Sequence, residues 1–369
     1  MTYDLYVELS GDSQDDVNAL VSGQHREYSI LNIATRIQLL AGIAASNENL
    51  KEYAIVGDRK RGGYKSLIHR KGNPQDSPYA KELITPWRSE MEKLSLIGST
   101  PDLILLPPGS WFLRFTFALA KPWMSKDDDP FYVAESVNPV RKDKVFKVPM
   151  MTAAGWKGLL RWTMMHIHLA LRRNQLSPEE FARERLAQTL LFGDEKGEES
   201  VQTRDFAAYL DELGGKAARQ EYEQKVRTYF HLGEKDAMSH HGGRLMFYPT
   251  FLNLIDVEVI NPHSRETKAG THPIYLECVP AGAQGTFSLL YVPFDLIGQA
   301  DVAQQAREDL QRVAEAVREM MFTYGFSAKR TSGYGTARDE IEGVVRTRGG
   351  EWRLTHLRQL AEEVKNARF

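Results

Sequence analysis

The sequence predicts an α+β protein, and three stretches carry that prediction. Trp111 to Ala120 alternates strictly, with Leu113, Phe115, Phe117 and Leu119 on one side and Arg114, Thr116 and Ala118 on the other, which is the period of a half-buried strand. Ser177-Pro178-Glu179-Glu180 is a helix start, with serine as cap and proline at the first position, and Gly193 closes the run. Ala303 to Met321 repeats its apolar residues Leu310, Val313, Val317 and Met320 at spacings of three and four, the stripe of an amphipathic helix.

Whole-chain properties set the frame. At 369 residues the chain makes one large or two modest domains, and 42% apolar against 26% charged residues supports a sizeable core. A formal net charge of −2 excludes a general polycation, so any nucleic-acid binding must come from local patches. The single cysteine, Cys278, excludes an internal disulfide and a cysteine-rich zinc site. There is no run of eighteen apolar residues and no charged-then-apolar leader, so a cytoplasmic protein with no membrane contact is expected.

Taken in order, Tyr3 to Leu9 alternates as a short strand. Ile30, Ile33, Ile37, Leu40 and Ala41 mark a helix. Asp58 to Lys71 then places Tyr64 and a glycine pair among Arg59, Lys60, Arg61, Lys65 and two further cations, a composition suited to touching phosphates and stacking on a base; a solvated loop is the plain alternative. Pro107-Pro108-Gly109 punctuates a boundary. Beyond the strand at Trp111 lies a polar excursion holding Asp127, Asp128 and Asp129, then Arg141, Lys142 and Lys144. The three acids could hold a metal or act as a base, or simply face water.

Lys147 to Arg161 reads as a strand end, a small-residue turn and a helix start, the helix running from about Ala154 to Arg173. Lys157 and Arg161, four apart, share a face, and glycines beside free N–H groups suit an anion such as a phosphate chain; two solvated cations are the alternative. After the helix closed by Gly193, a partly helical polar stretch lies between Phe206 and Phe230. Strands follow at Arg244 to Tyr248, Leu254 to Ile260, Ile274 to Pro280 and Gln284 to Pro293, the last two joined by a glycine-containing turn. Gly325 to Gly335 is a glycine-rich basic loop in which Lys329, Arg330 and Ser332 could bind phosphate and Tyr334 could stack on a base. Arg353 to Arg368 reads as a final charged helix. There is no GxxxxGK[ST] loop, no GxSxG elbow and no zinc-type histidine pair: His240 and His241 are adjacent beside a glycine pair, and His166 and His168 fall on different faces of a helix.

Together these segments resemble the RAMP superfamily, the RNA-binding subunits of CRISPR effector complexes, over about residues 108–345. The family's Pro-Gly-Ser-Ser-Leu-Lys-Gly-x-x-Arg turn is similar to Pro149 to Arg161, with Ala153 to Trp156 replacing Gly-Ser-Ser-Leu and Lys157, Gly158 and Arg161 kept. Phe192-Gly193, Gly243-Arg244-Leu245, Arg265 to Ala269 with Glu277 to Gly282, and Lys329 to Gly335 resemble its later motifs in the family's order. Val133 to Arg141 most resembles the loop of type III backbone subunits. The family's target-cutting aspartate would fall on Val137, which can neither abstract a proton nor hold a metal.

The resemblance implies a ferredoxin-like, RNA-recognition-type antiparallel sheet with helices on one face and a thumb-like insertion. It divides the chain into an N-terminal extension at 1–107, the RAMP-like domain at 108–345 and a C-terminal helical tail at 346–369. It implies guide RNA, target RNA and other effector subunits as partners. Arg141, Lys142, Lys144, Lys157, Arg161, Arg265, Lys268, Lys329, Arg330, Ser332 and Tyr334 would be RNA-binding, joined by Arg59, Lys60, Arg61 and Lys65 of the basic loop. No cofactor is expected. Mg2+ would be needed only if Asp127, Asp128 or Asp129 made the chain an endoribonuclease that cuts target RNA. A guide-processing endonuclease would need a histidine paired with tyrosine or lysine. An unrelated α/β enzyme holding a nucleotide phosphate at Lys157 is the reading outside the superfamily.

Overall fold

The computed structural model describes residues 11–23, 31–57, 62–125, 137–194, 206–233, 236, 241–261 and 274–369. The expected strand at Tyr3 to Leu9 lies outside them, as do Arg59, Lys60, Arg61, Asp127, Asp128, Asp129, Arg265 and Lys268.

The first described elements are helices: α1 (Gln14–Ser22), α2 (Ile33–Ser46), α3 (Lys51–Ile55), α4 (Lys65–Ile68) and α5 (Thr85–Lys93). The first starts with a capping box, the Ser13 hydroxyl receiving the Asp16 N–H while the Asp16 carboxylate receives that of Ser13. Ile33, Ile37 and Leu40 turn inward as their spacing requires.

Strand β1 (Trp111–Leu119) is the centre of a five-stranded antiparallel sheet. The sheet runs in the order β10 (Gly350–His356), β9 (Ala337–Thr347), β1, β8 (Gln284–Tyr291) and β4 (Leu245–Phe247). The odd-numbered residues of β1 are buried, and Arg114, Thr116 and Ala118 on the other side are part exposed. Behind the buried face pack α6 (Ala153–Met165), continued by a π turn at His166–Ala170, and α9 (Val302–Arg318), continued by a π turn at Glu319–Tyr324. Trp156 on α6 meets Phe117, Phe287 and Phe326, joining helix, sheet and glycine-rich loop in one aromatic core. Helices α7 (Pro178–Phe192) and α8 (Phe206–Tyr229, kinked at Gly215) form a second small core with Met165, Leu169 and Trp162.

A smaller sheet has the order β2 (Val137–Asn138), β7 (Ile274–Cys278), β6 (Asp256–Ile260), and β3 (Met150–Met151) pairs with β5 (Thr250–Phe251). Among the described residues no helix is long and apolar enough to cross a membrane.

Two expectations are corrected. The strands at Ile274 and Gln284 are not two halves of one hairpin: Pro280 to Ala283 carries the chain from the smaller sheet to the larger one. The expected helix from Arg353 does not form. Trp352 and Leu354 alternate with charged neighbours, and edge pairing of β10 with β9 satisfies that backbone, leaving only the short helix α10 (Leu360–Glu363) and one 3-10 turn. One cluster of buried hydrophobic residues includes residues from Val17 to Ala367, so the N-terminal helices pack on the same core as the main sheet.

Candidate nucleic-acid interface

The end of β1 and the glycine-rich loop are laced together by the backbone. Gly335 N–H donates to the Pro122 carbonyl at 2.7 Å and Ala328 N–H to the Met124 carbonyl at 2.8 Å. The Ser327 hydroxyl accepts from Met124 N–H at 2.7 Å and donates to the Met124 carbonyl at 3.0 Å, while Trp123 Nε1–H donates to the Phe326 carbonyl at 2.9 Å. One residue further, the Ser125 hydroxyl accepts from Arg141 N–H at 2.7 Å, and the Arg141 carbonyl accepts from Met150 N–H at 2.9 Å, two residues before the cap of α6. The glycine-rich loop, the β1 exit, the Arg141–Lys147 loop and the start of α6 therefore form one continuous rim.

Its cations divide by environment. Arg141, Lys144 and Lys329 are exposed on the rim, and Lys329 sits in the left-handed region at φ 59°. Ser332 is exposed beside it, in a one-turn 3-10 helix at Arg330–Ser332. Lys157 is half-buried in the second turn of α6, whose N-cap Thr152 accepts from Gly155 N–H at 3.0 Å. The early N–H groups of this helix face the rim with the positive end of the peptide dipoles.

Other predicted residues have structural work instead. Lys142 is fully buried, its ammonium against the Glu277 carboxylate, so it cannot reach a nucleic acid. Glu277 also accepts from Val140 N–H at 2.9 Å and from the buried hydroxyl of Tyr64, so Tyr64 is not a base-stacking residue of the basic loop. Arg161 points away from the rim: it donates to the carbonyls of Gly193 and Asp194 at 3.2 and 3.1 Å and lies over Phe206 and Phe192, closing the carbonyl end of α7. Tyr334 packs against Met124, Leu276 and Cys278 and donates to Glu258 at 3.3 Å, so its ring is not offered to a base. Arg330 lies over the Trp162 indole at 4.6 Å. Lys65 lies over Tyr275 at 4.9 Å, on the smaller sheet.

The N-terminal helices support this rim from below. The Tyr79 hydroxyl donates to the Lys147 carbonyl at 2.8 Å, Trp87 meets Phe146 at 5.4 Å, and Arg88 donates to the Phe251 carbonyl. Within the loop, Asp143 Oδ1 accepts from Val145 and Phe146 N–H, both at 2.8 Å, which holds Lys144 outward.

Two histidine arrangements went unseen in the sequence. His69 Nδ1 lies 2.6 Å from Asp256 Oδ1, a pair joined across 187 residues. His166 meets the ring of Tyr324 edge-on at 5.2 Å, so one histidine does stand beside a tyrosine, but the contact is ring to ring with no hydrogen bond between them. Both join residues far apart in the chain and leave no local signal in the sequence. Among the described residues no group of three or more potential metal ligands converges.

No family model matches the sequence, and no curated protein matches it. Solved structures do. One is the type III-B Cmr-beta bound to cognate target RNA, at 12% identity and TM-score 0.41, covering 90% of this chain and 99% of that one. Another is the Csm3–Csm4 subcomplex of the type III-A CRISPR-Cas interference complex, at 12% identity and TM-score 0.34, covering 71% of this chain and 97% of that one. A third is Cmr6 from Pyrococcus furiosus, at 14% identity and TM-score 0.29, covering 62% of this chain and 97% of that one. The matched proteins are subunits of type III CRISPR complexes, and at such identities and scores the likeness carries no argument about activity.

Proposed function

We propose that this chain is a guide-RNA-binding structural subunit of a type III CRISPR ribonucleoprotein in antiviral defence, acting in the cytoplasm with target RNA and other effector subunits and without cleavage activity of its own. The observation that carries the reading is the hydrogen-bond relay from Ala328 through Met124 and Ser125 to Arg141, which joins two basic loops 187 residues apart in sequence into one rim. Exposed Lys329, Arg141 and Lys144 on a rigid rim beside a helix start suit a ribose–phosphate track: charge attracts the backbone, and oriented N–H groups fix it. Valine at position 137 supports the non-catalytic reading, since it offers no acid or base where the family's cutting aspartate would fall.

The test is filter binding of the full chain to single-stranded RNA across a salt series, followed by incubation of guide, complementary RNA and Mg2+. Salt-sensitive binding without cutting is expected. Absence of RNA binding would overturn the reading. Cleavage abolished by Asp127→Ala, Asp128→Ala or Asp129→Ala would replace it with the metal-dependent nuclease.

A further inference from the structure

Beside the rim stands a cluster that phosphate binding does not use. Trp162 on α6 and His166, one turn on in the π turn that continues it, lie parallel, with ring centroids 5.0 Å apart and planes within 7°. Tyr324, immediately before Gly325, meets both edge-on, at 5.4 Å and 86° to Trp162 and at 5.2 Å and 90° to His166. The Arg330 guanidinium lies 4.6 Å over the indole. All four side chains are half-exposed, and Trp162 is anchored at its inner edge by the small core of Met165, Leu169 and Phe181.

The arrangement is unlike ordinary core or surface packing. Four large planar groups converge while each keeps part of its surface exposed, and among the described residues no carboxylate pairs with Arg330, whose cation rests on a ring instead. Access is open on the helix: Gly158, one turn before Trp162, is exposed, and a Cβ built there would meet nothing within 4 Å. A guanidinium plane backed by an indole is a stacking surface for any base, because every base has a π-face, and its cation adds attraction for the neighbouring phosphate. Lys329, the residue before it in the chain, is exposed on the rim, where an ammonium suits that phosphate.

We propose that Arg330, Trp162, His166 and Tyr324 form a stacking subsite for one unpaired base of a single-stranded RNA whose backbone follows the rim. The inference rests on the RNA-binding reading and adds a base contact of low sequence preference to it. Arg330 supplies the plane, Trp162 and Tyr324 hold that plane in place, and His166 extends the column along the helix.

The full chain would be titrated with oligoadenylate and with an abasic ribose–phosphate oligomer of equal length. The wild type should prefer the oligomer that carries bases. Arg330→Lys keeps the charge and removes the plane, so it should cut that preference about tenfold, with a larger loss of affinity for oligoadenylate than for the abasic oligomer; His166→Ala should act in the same direction. A wild type that binds both oligomers equally, or an Arg330→Lys variant with undiminished preference, overturns the subsite while leaving the phosphate rim intact. Failure of both oligomers to bind overturns the subsite and the RNA-binding reading together.

Discussion

The ammonium of Lys142 and the carboxylate of Glu277, 135 residues apart in sequence, form an ion pair that solvent does not reach. The remaining valences are met: Glu277 also takes the Val140 N–H and the Tyr64 hydroxyl, and Lys142 also donates to the Val140 carbonyl at 3.4 Å. Three parts of the chain therefore meet on one carboxylate, and the basic loop that follows is fixed by a charge it does not display.

Removing one partner leaves the other charged in an apolar surround. Lys142→Met should destabilise the chain by about 3–5 kcal/mol, and the double change Lys142→Met with Glu277→Leu should recover much of that loss. Urea denaturation midpoints measure both. If Lys142→Met were as stable as wild type but bound RNA more weakly, the lysine would be an RNA contact and its burial would be wrong.

Phosphate contacts and structural cations separate by salt. Lys329→Ala, Arg141→Ala and Lys144→Ala should each weaken single-stranded RNA binding and lower the slope of log affinity against log salt by about 0.7. Arg161→Ala should leave that slope alone and lower stability, because its guanidinium is engaged with the Gly193 and Asp194 carbonyls. Equal slope changes for Arg161 and Lys329 would remove the distinction between rim and interior.

This division shows what the sequence could and could not reveal. The Ser177 capping box, the alternation of β1 and the stripe of α9 are local patterns, and each was legible because its cause lies within a few residues. Arg141, Lys142 and Lys144 look equivalent in sequence; only the return of Glu277 from a distant strand buries the middle one. Arg330 reads as a phosphate ligand until Trp162 is placed beneath it. Strand β10 is not legible in the sequence because its charged residues obscure a short alternation whose stabilising partner, β9, is separated from it by only two residues in a tight turn.

The glycines of the basic loop are not interchangeable. Gly333 and Gly335 both lie in the left-handed region, at φ 79° and 68°. A Cβ on Gly333 would meet nothing within 4 Å, so Gly333→Ala should cost only the backbone penalty, about 1–2 kcal/mol. On Gly335 it would stand 2.2 Å from Ser327 Cβ and 2.8 Å from Ser327 N, wedging apart the segment that binds Pro122 and Met124. Gly335→Ala should therefore be the more destabilising change and should also weaken RNA binding. Equal denaturation midpoints for the two variants would contradict the close packing of this loop.

His168 should make the fold sensitive to mild acid. Burial pushes its imidazole below the ordinary histidine value, Arg312 and Arg172 push the same way, and Glu315 and Glu184 oppose them. Its Nε2 is buried with no hydrogen-bond partner among the described residues, so the ring is held neutral without a group that would reward protonation. As pH falls through about 6.5 the unfolded chain takes up a proton that the folded chain refuses, so the unfolded state binds more protons and stability falls with pH. The loss continues until the pH passes the lower, folded-state value. Above about 6.5 both states are neutral and the residue is silent. Comparing urea midpoints at pH 7.5 and 5.5 isolates this contribution: the wild type should lose more stability between them than His168→Gln, which cannot titrate. An equal loss in the two proteins would mean that His168 gains a proton partner in the folded chain, and would assign the acid sensitivity to other groups.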